Sequence, residues 1–145
     1  MELHSSTRGN ERIVVVEGVV GAAEVPELLA ELLAAVQDGG GHDVLLDVRG
    51  VSSFADEALT ALTAGRSRAK SLRHRIVVVD GRNGETAKSL RRSGQVFRFP
   101  VHPDAGSASA ALEADRVSLA ATNPLQVADG PAATTVRALR GGGPL

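Results

Sequence analysis

A chain of 145 residues is long enough for one domain with an ordinary buried core, and it leaves little length for a second. A hydrophobic content of 43% and a charged content of 23% belong to a globular protein, and a net charge of -1 supplies no global attraction to nucleic acid or an anionic membrane. The absence of cysteine excludes a disulfide framework, a thiolate nucleophile and a thiolate metal site; no Trp, no Tyr and only three Phe exclude an open aromatic platform for stacking single-stranded nucleic acid.

No opening basic segment leads into a long apolar run, and no uninterrupted stretch has the length to span a bilayer. A cytoplasmic location is expected, with no direct nucleic-acid contact and no membrane insertion. Residues 1–11 are polar and punctuated by Gly9, which fits either a leader or a short edge strand. Arg12 to Gly18 is a firmer strand, because its β-branched Ile13, Val14, Val15 and Val16 pack well on a pleated backbone. Gly18 and Gly21 read as the turn that follows. Val25 to Val36 then places Leu28, Leu29, Leu32, Leu33 and Val36 on one helical stripe, with Pro26 in the first turn, where its missing amide proton costs little. Gly39-Gly40-Gly41 is expected to stop that helix.

The stretch Asp43 to Leu62 organises the rest. Val44-Leu45-Leu46 is too short for a typical helix and rich in branched residues, so it reads as a central strand ending at Asp47. Arg49-Gly50 breaks the run, Ser52-Ser53 are turn-prone, and Asp56 opens a helix whose Ala58, Leu59 and Leu62 recur at helical spacing, continuing to Leu72. A third strand lies within Arg75 to Asp80 and a short helix within Glu85 to Arg92, ended by Gly94. Val96-Phe97-Arg98-Phe99 alternates as a final strand would, closed by Pro100; Asp104 or Ser107 then begins a last helix carrying Ala108, Ala111 and Leu112 inward. Residues 121–145 hold scattered Pro and Gly with little periodicity, as a flexible tail would. Repeated strand-to-helix crossovers make this an α/β fold, with the folded domain over residues 12–120.

The chemistry-bearing residues have plain structural readings beside functional ones. His4, His42, His74 and His102 show no metal-ligand spacing, so no metal is expected. Asp43 and Asp47 share acid/base work only if they meet; otherwise they are strand-end residues. Gly81-Arg82-Asn83-Gly84 precedes a helix and offers amides to an anion, yet lacks the dinucleotide and Walker A patterns, and a turn alone explains it. The run Arg66, Arg68, Lys70, Arg73, Arg75 reads as a solvated helix face before it reads as a phosphate-backbone contact. Asp56-Glu57 has two readings that stay open: a cap on a helix N-terminus, or an anionic patch at an exposed turn available to a partner.

Asp47-Val48-Arg49-Gly50-Val51 resembles the D-L-S-G-V strand end of STAS domains, Phe54-Ala55-Asp56-Glu57-Ala58-Leu59 resembles the hydrophobic-D-S-S/A-G-L segment after it, and Leu90-Arg91-Arg92-Ser93-Gly94 resembles the family's L-x-x-x-G turn. The chain therefore looks like a STAS domain of the anti-sigma factor antagonist family over about Arg12 to Leu112. That resemblance implies a mixed β-sheet covered by helices and a regulator rather than an enzyme, with no cofactor. In the family, the first Ser after the conserved Asp is phosphorylated by an anti-sigma factor that is also a kinase, and phosphorylation weakens the complex. Without a gap, Ala55 falls at the family's Asp and Asp56 at its Ser; in the alternative register Asp56 falls at the Asp and Glu57 at the Ser. Either way the hydroxyl is gone, since a carboxylate has nothing to phosphorylate in that manner. Gly21 stands where many relatives carry the Asp of a G-E-L-D turn.

The resemblance thus implies a partner-binding surface of Gly21, Ser52, Ser53, Ala55, Asp56 and Glu57, with Ser52 and Ser53 as alternative phosphoacceptors. The partner it implies is an anti-sigma factor or a histidine-kinase-like Ser/Thr protein kinase. Two other readings are a scaffold or transporter-regulating STAS subunit with no phosphorylation step, and a small-ligand-binding or catalytic α/β domain using the strand-end loops.

Overall fold

The computed structural model describes residues 1–38 and 42–122. The Gly39-Gly40-Gly41 stop and all of the expected tail beyond Thr122 lie outside the described residues. Among the described residues there are five strands: β1 (Glu2–Arg8), β2 (Glu11–Val20), β3 (Asp43–Phe54), β4 (Ile76–Val79) and β5 (Val101–His102). They lie side by side in chain order; β1 runs antiparallel to β2, and every later neighbouring pair is parallel. The helices are α1 (Val25–Gln37), α2 (Leu59–Ser71), α3 (Glu85–Arg92) and α4 (Ala105–Thr122), with short 3-10 turns at Ala22–Glu24 and Asp56–Ala58. This is the mixed, helix-covered sheet that the α/β reading requires.

The parallel crossovers from β2 to β5 all step the same way, and right-handed crossovers of that kind put α1, α2 and α3 on one face. Val14, Val16 and Val20 of β2, Val44, Leu46 and Val48 of β3 and Ile76 and Val78 of β4 form one buried cluster with Leu28 and Leu32 of α1, Leu59 and Leu62 of α2 and Leu90 of α3. Leu45, Val77 and Val79 alternate to the opposite face and are buried as well. Gly65, inside α2, faces the Cβ of Leu32 in α1 and Ile76 in β4, so its missing side chain lets the two helices close over the sheet.

Contacts divide the chain into two units, Met1–Ser109 and Ala110–Leu145. The sheet and the first three helices belong to the first. Within it the carboxylate of Asp104 accepts the amide of Ser107 at 2.7 Å, capping the start of α4, and Ala108 is buried. The described part of the second continues the helix to Thr122, with Leu112 buried.

Three expected boundaries are corrected. β2 does not end at Gly18 but runs on to Val20, with Gly18 at φ 90, a backbone that glycine adopts without a side-chain clash. β3 does not end at Asp47: Arg49-Gly50 and Ser52-Ser53 are strand, not turn. Between Val15 and Glu17 of β2 the facing strand advances from Asp47 to Gly50, and between Gly18 and Val19 from Val51 to Ser53, so β3 bulges by one residue twice. The expected strand Val96–Phe99 is a set of turns, and β5 lies after Pro100 instead. In a strand Phe97 and Phe99 would share a face, whereas Phe97 is 92% exposed and Phe99 is fully buried.

Candidate functional site

The two strands at the centre of the sheet end together. Val20 faces Phe54, and the amide of Ala55 donates to the carbonyl of Val20 at 2.8 Å, so Gly21 and Ala55 leave the sheet side by side. From Gly21 the chain enters its 3-10 turn with the Gly21 amide donating to Glu24 Oε1 at 2.8 Å. From Ala55 it enters the second 3-10 turn, closed by the Ala58 amide on the Ala55 carbonyl at 2.9 Å. Phe54 and Ala58 are buried and hold the corner from beneath, which leaves Asp56 and Glu57 facing solvent. Ser52 and Ser53 are exposed on the bulged end of β3, and Ser53 pairs with Val19, an exposed apolar neighbour that lies in strand and not in the turn expected between Gly18 and Gly21. The six residues expected to bind a partner therefore cluster at one end of β2 and β3.

Asp56 does not cap the helix that follows. No side-chain bond of that kind forms at either the 3-10 turn or α2. Its Oδ1 instead accepts the Ser89 hydroxyl at 2.6 Å and the Arg92 guanidinium at 2.8 Å, both from α3. These bonds, Ser89 first, hold the Asp56 carboxyl below the usual carboxylate range. Ser89 and Arg92 were not singled out from sequence, although their i, i+3 spacing puts them on one helix face and was the available signal. The side chain of Asp56 is still 61% exposed, so a partner can reach it while α3 fixes its direction.

Most of the remaining polar candidates are committed to the fold. Asp43 and Asp47 sit at different points of β3 and do not act as a pair. Asp43 accepts the Arg75 amide at 3.0 Å and lies 3.4 Å from His74 Nδ1. Asp47 accepts the Arg49 side chain at 3.0 and 2.7 Å and the Arg49 amide at 3.1 Å, spanning the first bulge. Burial pushes the Asp47 carboxyl up, and the bonds to Arg49 outweigh it, so the net shift is downward. The loop Gly81 to Gly84 is no vacant anion cradle: Asp80 Oδ1 accepts the Gly81 amide at 2.9 Å and Oδ2 accepts the Ala87 amide at 2.9 Å, filling the start of α3 with the protein's own carboxylate. Burial raises Asp80 above the ordinary range in spite of these two bonds. In the basic run, Arg66 donates to the Arg98 carbonyl at 3.0 Å and Arg68 to Gln37 at 2.6 Å, while Lys70 is exposed. Cross-strand pairing brings Glu2, His4 and Glu17 together with ligand-capable atoms within 4.8 Å, all three exposed. No described helix is long and apolar enough to cross a membrane.

The family described as "Mlab, STAS domain" matches residues 3–95, which takes in β1 to α3 and the whole corner. No curated protein matches the chain. Among solved structures, an anti-sigma factor antagonist from Mycobacterium paratuberculosis is similar with a TM-score of 0.69 at 20% identity, over 77% of this chain and 93% of that one. The anti-sigma factor antagonist SpoIIAA in its unphosphorylated form is similar with a TM-score of 0.63 at 10% identity, over 76% and 96%. The Bacillus cell fate determinant SpoIIAA in its phosphorylated form gives 0.59 at 9%, over 76% and 99%. These likenesses show the shared fold, and the family match over most of the chain gives the assignment: this chain belongs to the STAS domain family.

Proposed function

We propose that this STAS domain is a protein-interaction regulator of the anti-sigma factor antagonist kind, docking an anti-sigma factor or a histidine-kinase-like Ser/Thr protein kinase. Gly21, Ser52, Ser53, Ala55, Asp56 and Glu57 are the contact residues in this reading. The observation that carries it is the corner itself, where two strand ends leave the sheet together and present two carboxylates and two hydroxyls to solvent. The anti-sigma factor antagonists that share this fold support the class of partner. Neither Asp56 nor Glu57 carries a hydroxyl, so the usual phosphorylation switch is missing there, and Ser52 and Ser53 are the acceptors that remain.

The test is affinity capture of the partner from native extract, followed by calorimetric titration. Asp56→Lys reverses the charge at an exposed position beside Arg92, so binding is expected to weaken by about tenfold or more while folding changes little. Unchanged affinity removes Asp56 from the interface. The clamp of Ser89 and Arg92 on Asp56 favours a second reading, a scaffold or transporter-regulating subunit: a carboxylate already fixed by a guanidinium needs no added phosphate to set the corner. A complex that survives kinase and ATP, with no phosphate mapped to Ser52 or Ser53, selects that reading.

A further inference from the structure

Charge is unevenly spread along this chain. Ten of its 16 Lys and Arg lie between residues 66 and 98, against two of its 17 Asp and Glu. Both of those acids are occupied, Asp80 buried on backbone amides and Glu85 paired with Lys88 at 3.0 Å. The near-neutral total therefore conceals a stretch of chain with a basic excess, even after Lys88 is set against Glu85 and Arg92 against Asp56, and over a screening length of about 8 Å it is the local charge that a surface feels.

An exposed aromatic ring stands in this region. The amides of Arg98 and Phe99 both donate to the Gln95 carbonyl, at 2.9 and 3.2 Å, forming a tight turn that sends Phe99 into the core and Phe97 outward. Val96 beside it is 37% exposed. Arg98 follows Phe97 directly, Arg91 is exposed at the end of α3, and Arg66 reaches across from α2 to the Arg98 carbonyl, with Lys70 one helical turn further along the same face. A protruding apolar tip among cations is the arrangement that peripheral proteins use at anionic headgroups, the ring entering the interface and the cations staying in the charged layer. An isolated ring offers no stacking platform to single-stranded nucleic acid. A protein partner would need a pocket shaped to receive the ring, whereas a fluid bilayer needs none.

We infer that the turn over residues 95–99, with the cations of α2 and α3 around it, is a peripheral docking point for an anionic lipid bilayer. Neither Phe97 nor Arg98 is among the residues assigned to the proposed partner, so substitutions there test this surface by itself, although α3 borders both places through the bond of Arg92 to Asp56. The full chain is sedimented with phosphatidylcholine vesicles made with and without phosphatidylglycerol. Binding is expected with the anionic vesicles only, weakened about tenfold by Phe97→Ser and by Arg98→Glu, and released by added salt. Both positions are exposed, so an unchanged thermal unfolding curve certifies each variant as folded. No binding to anionic vesicles, equal binding to neutral ones, or binding that ignores both substitutions overturns the proposal. So does a preference for polyglutamate over the vesicles, which would make this an acidic-protein site.

Discussion

A carboxylate in the first turn of a helix can serve that turn's own amides or a cation on a facing element. Asp56 takes the second course, and the reason is that α3 delivers a hydroxyl and a guanidinium from one face to the same oxygen. Because its folded titration lies below the ordinary range, Asp56 favours the folded state at pH values above that range, and this contribution is lost as pH falls through the lowered value. Ser89→Ala, which removes the largest cause, is expected to move the Asp56 titration upward more than Arg92→Ala does. A carboxyl-carbon NMR titration reads both, and a midpoint that stays put in Ser89→Ala refutes the clamp. Arg92→Ala should melt close to the parent near neutral pH, since an ion pair this exposed contributes little to stability, whereas Ser89→Ala also removes a hydroxyl from a fully buried position and should melt lower. The acidity of the corner was legible in sequence, but its restraint was not: nothing in residues 52–57 says that a helix more than thirty positions later will close on them.

At the scale of elements, the most economical device is the join between β4 and α3. Asp80 ends the strand and caps the helix, and Gly84 sits so close to its carboxylate that a Cβ there would overlap it. The backbone of Gly84, at φ -65 and ψ 155, is open to any residue, so glycine is required by close approach and not by conformation. Gly84→Ala is expected to destabilise the domain by about 2 kcal/mol, from overpacking and the disturbed cap, and Asp80→Ala by about 1 kcal/mol from the lost cap alone. In the double variant the overlap is gone, so its loss in urea unfolding should be smaller than the sum; strict additivity rejects the overlap. The same scale explains why β3 was cut short in sequence. Val48, Val51 and Phe54 are buried at intervals of three because each bulge adds a residue to the pleat, and that spacing, interrupted by Gly50 and two serines, imitates a turn. The spurious strand at Val96–Phe99 arose the opposite way, from a chance alternation that turn hydrogen bonds override.

For the molecule as a whole, β2, α1, β4 and α3 were legible because uninterrupted branched runs and helical stripes report burial directly, and the order of those elements dictates the parallel crossovers. The arrangement also separates what holds the domain together from what it shows to others. Leu46 lies at the centre of the sheet, fully buried between Val14 and Val78 on the neighbouring strands and packed into the cluster under α1 and α2. Leu46→Asp would strand a carboxylate there with no cation or amide left over, since the neighbouring backbone groups are paired along the sheet. The expected loss exceeds about 4 kcal/mol, a large part of the stability of a domain this size, so the variant should be unfolded by circular dichroism at room temperature. Asp56→Lys, on the exposed corner, should leave that spectrum intact. A cooperative native melt for Leu46→Asp would mean that the sheet centre is not the core on which the corner is built, and the separation of scaffold from surface would fail with it.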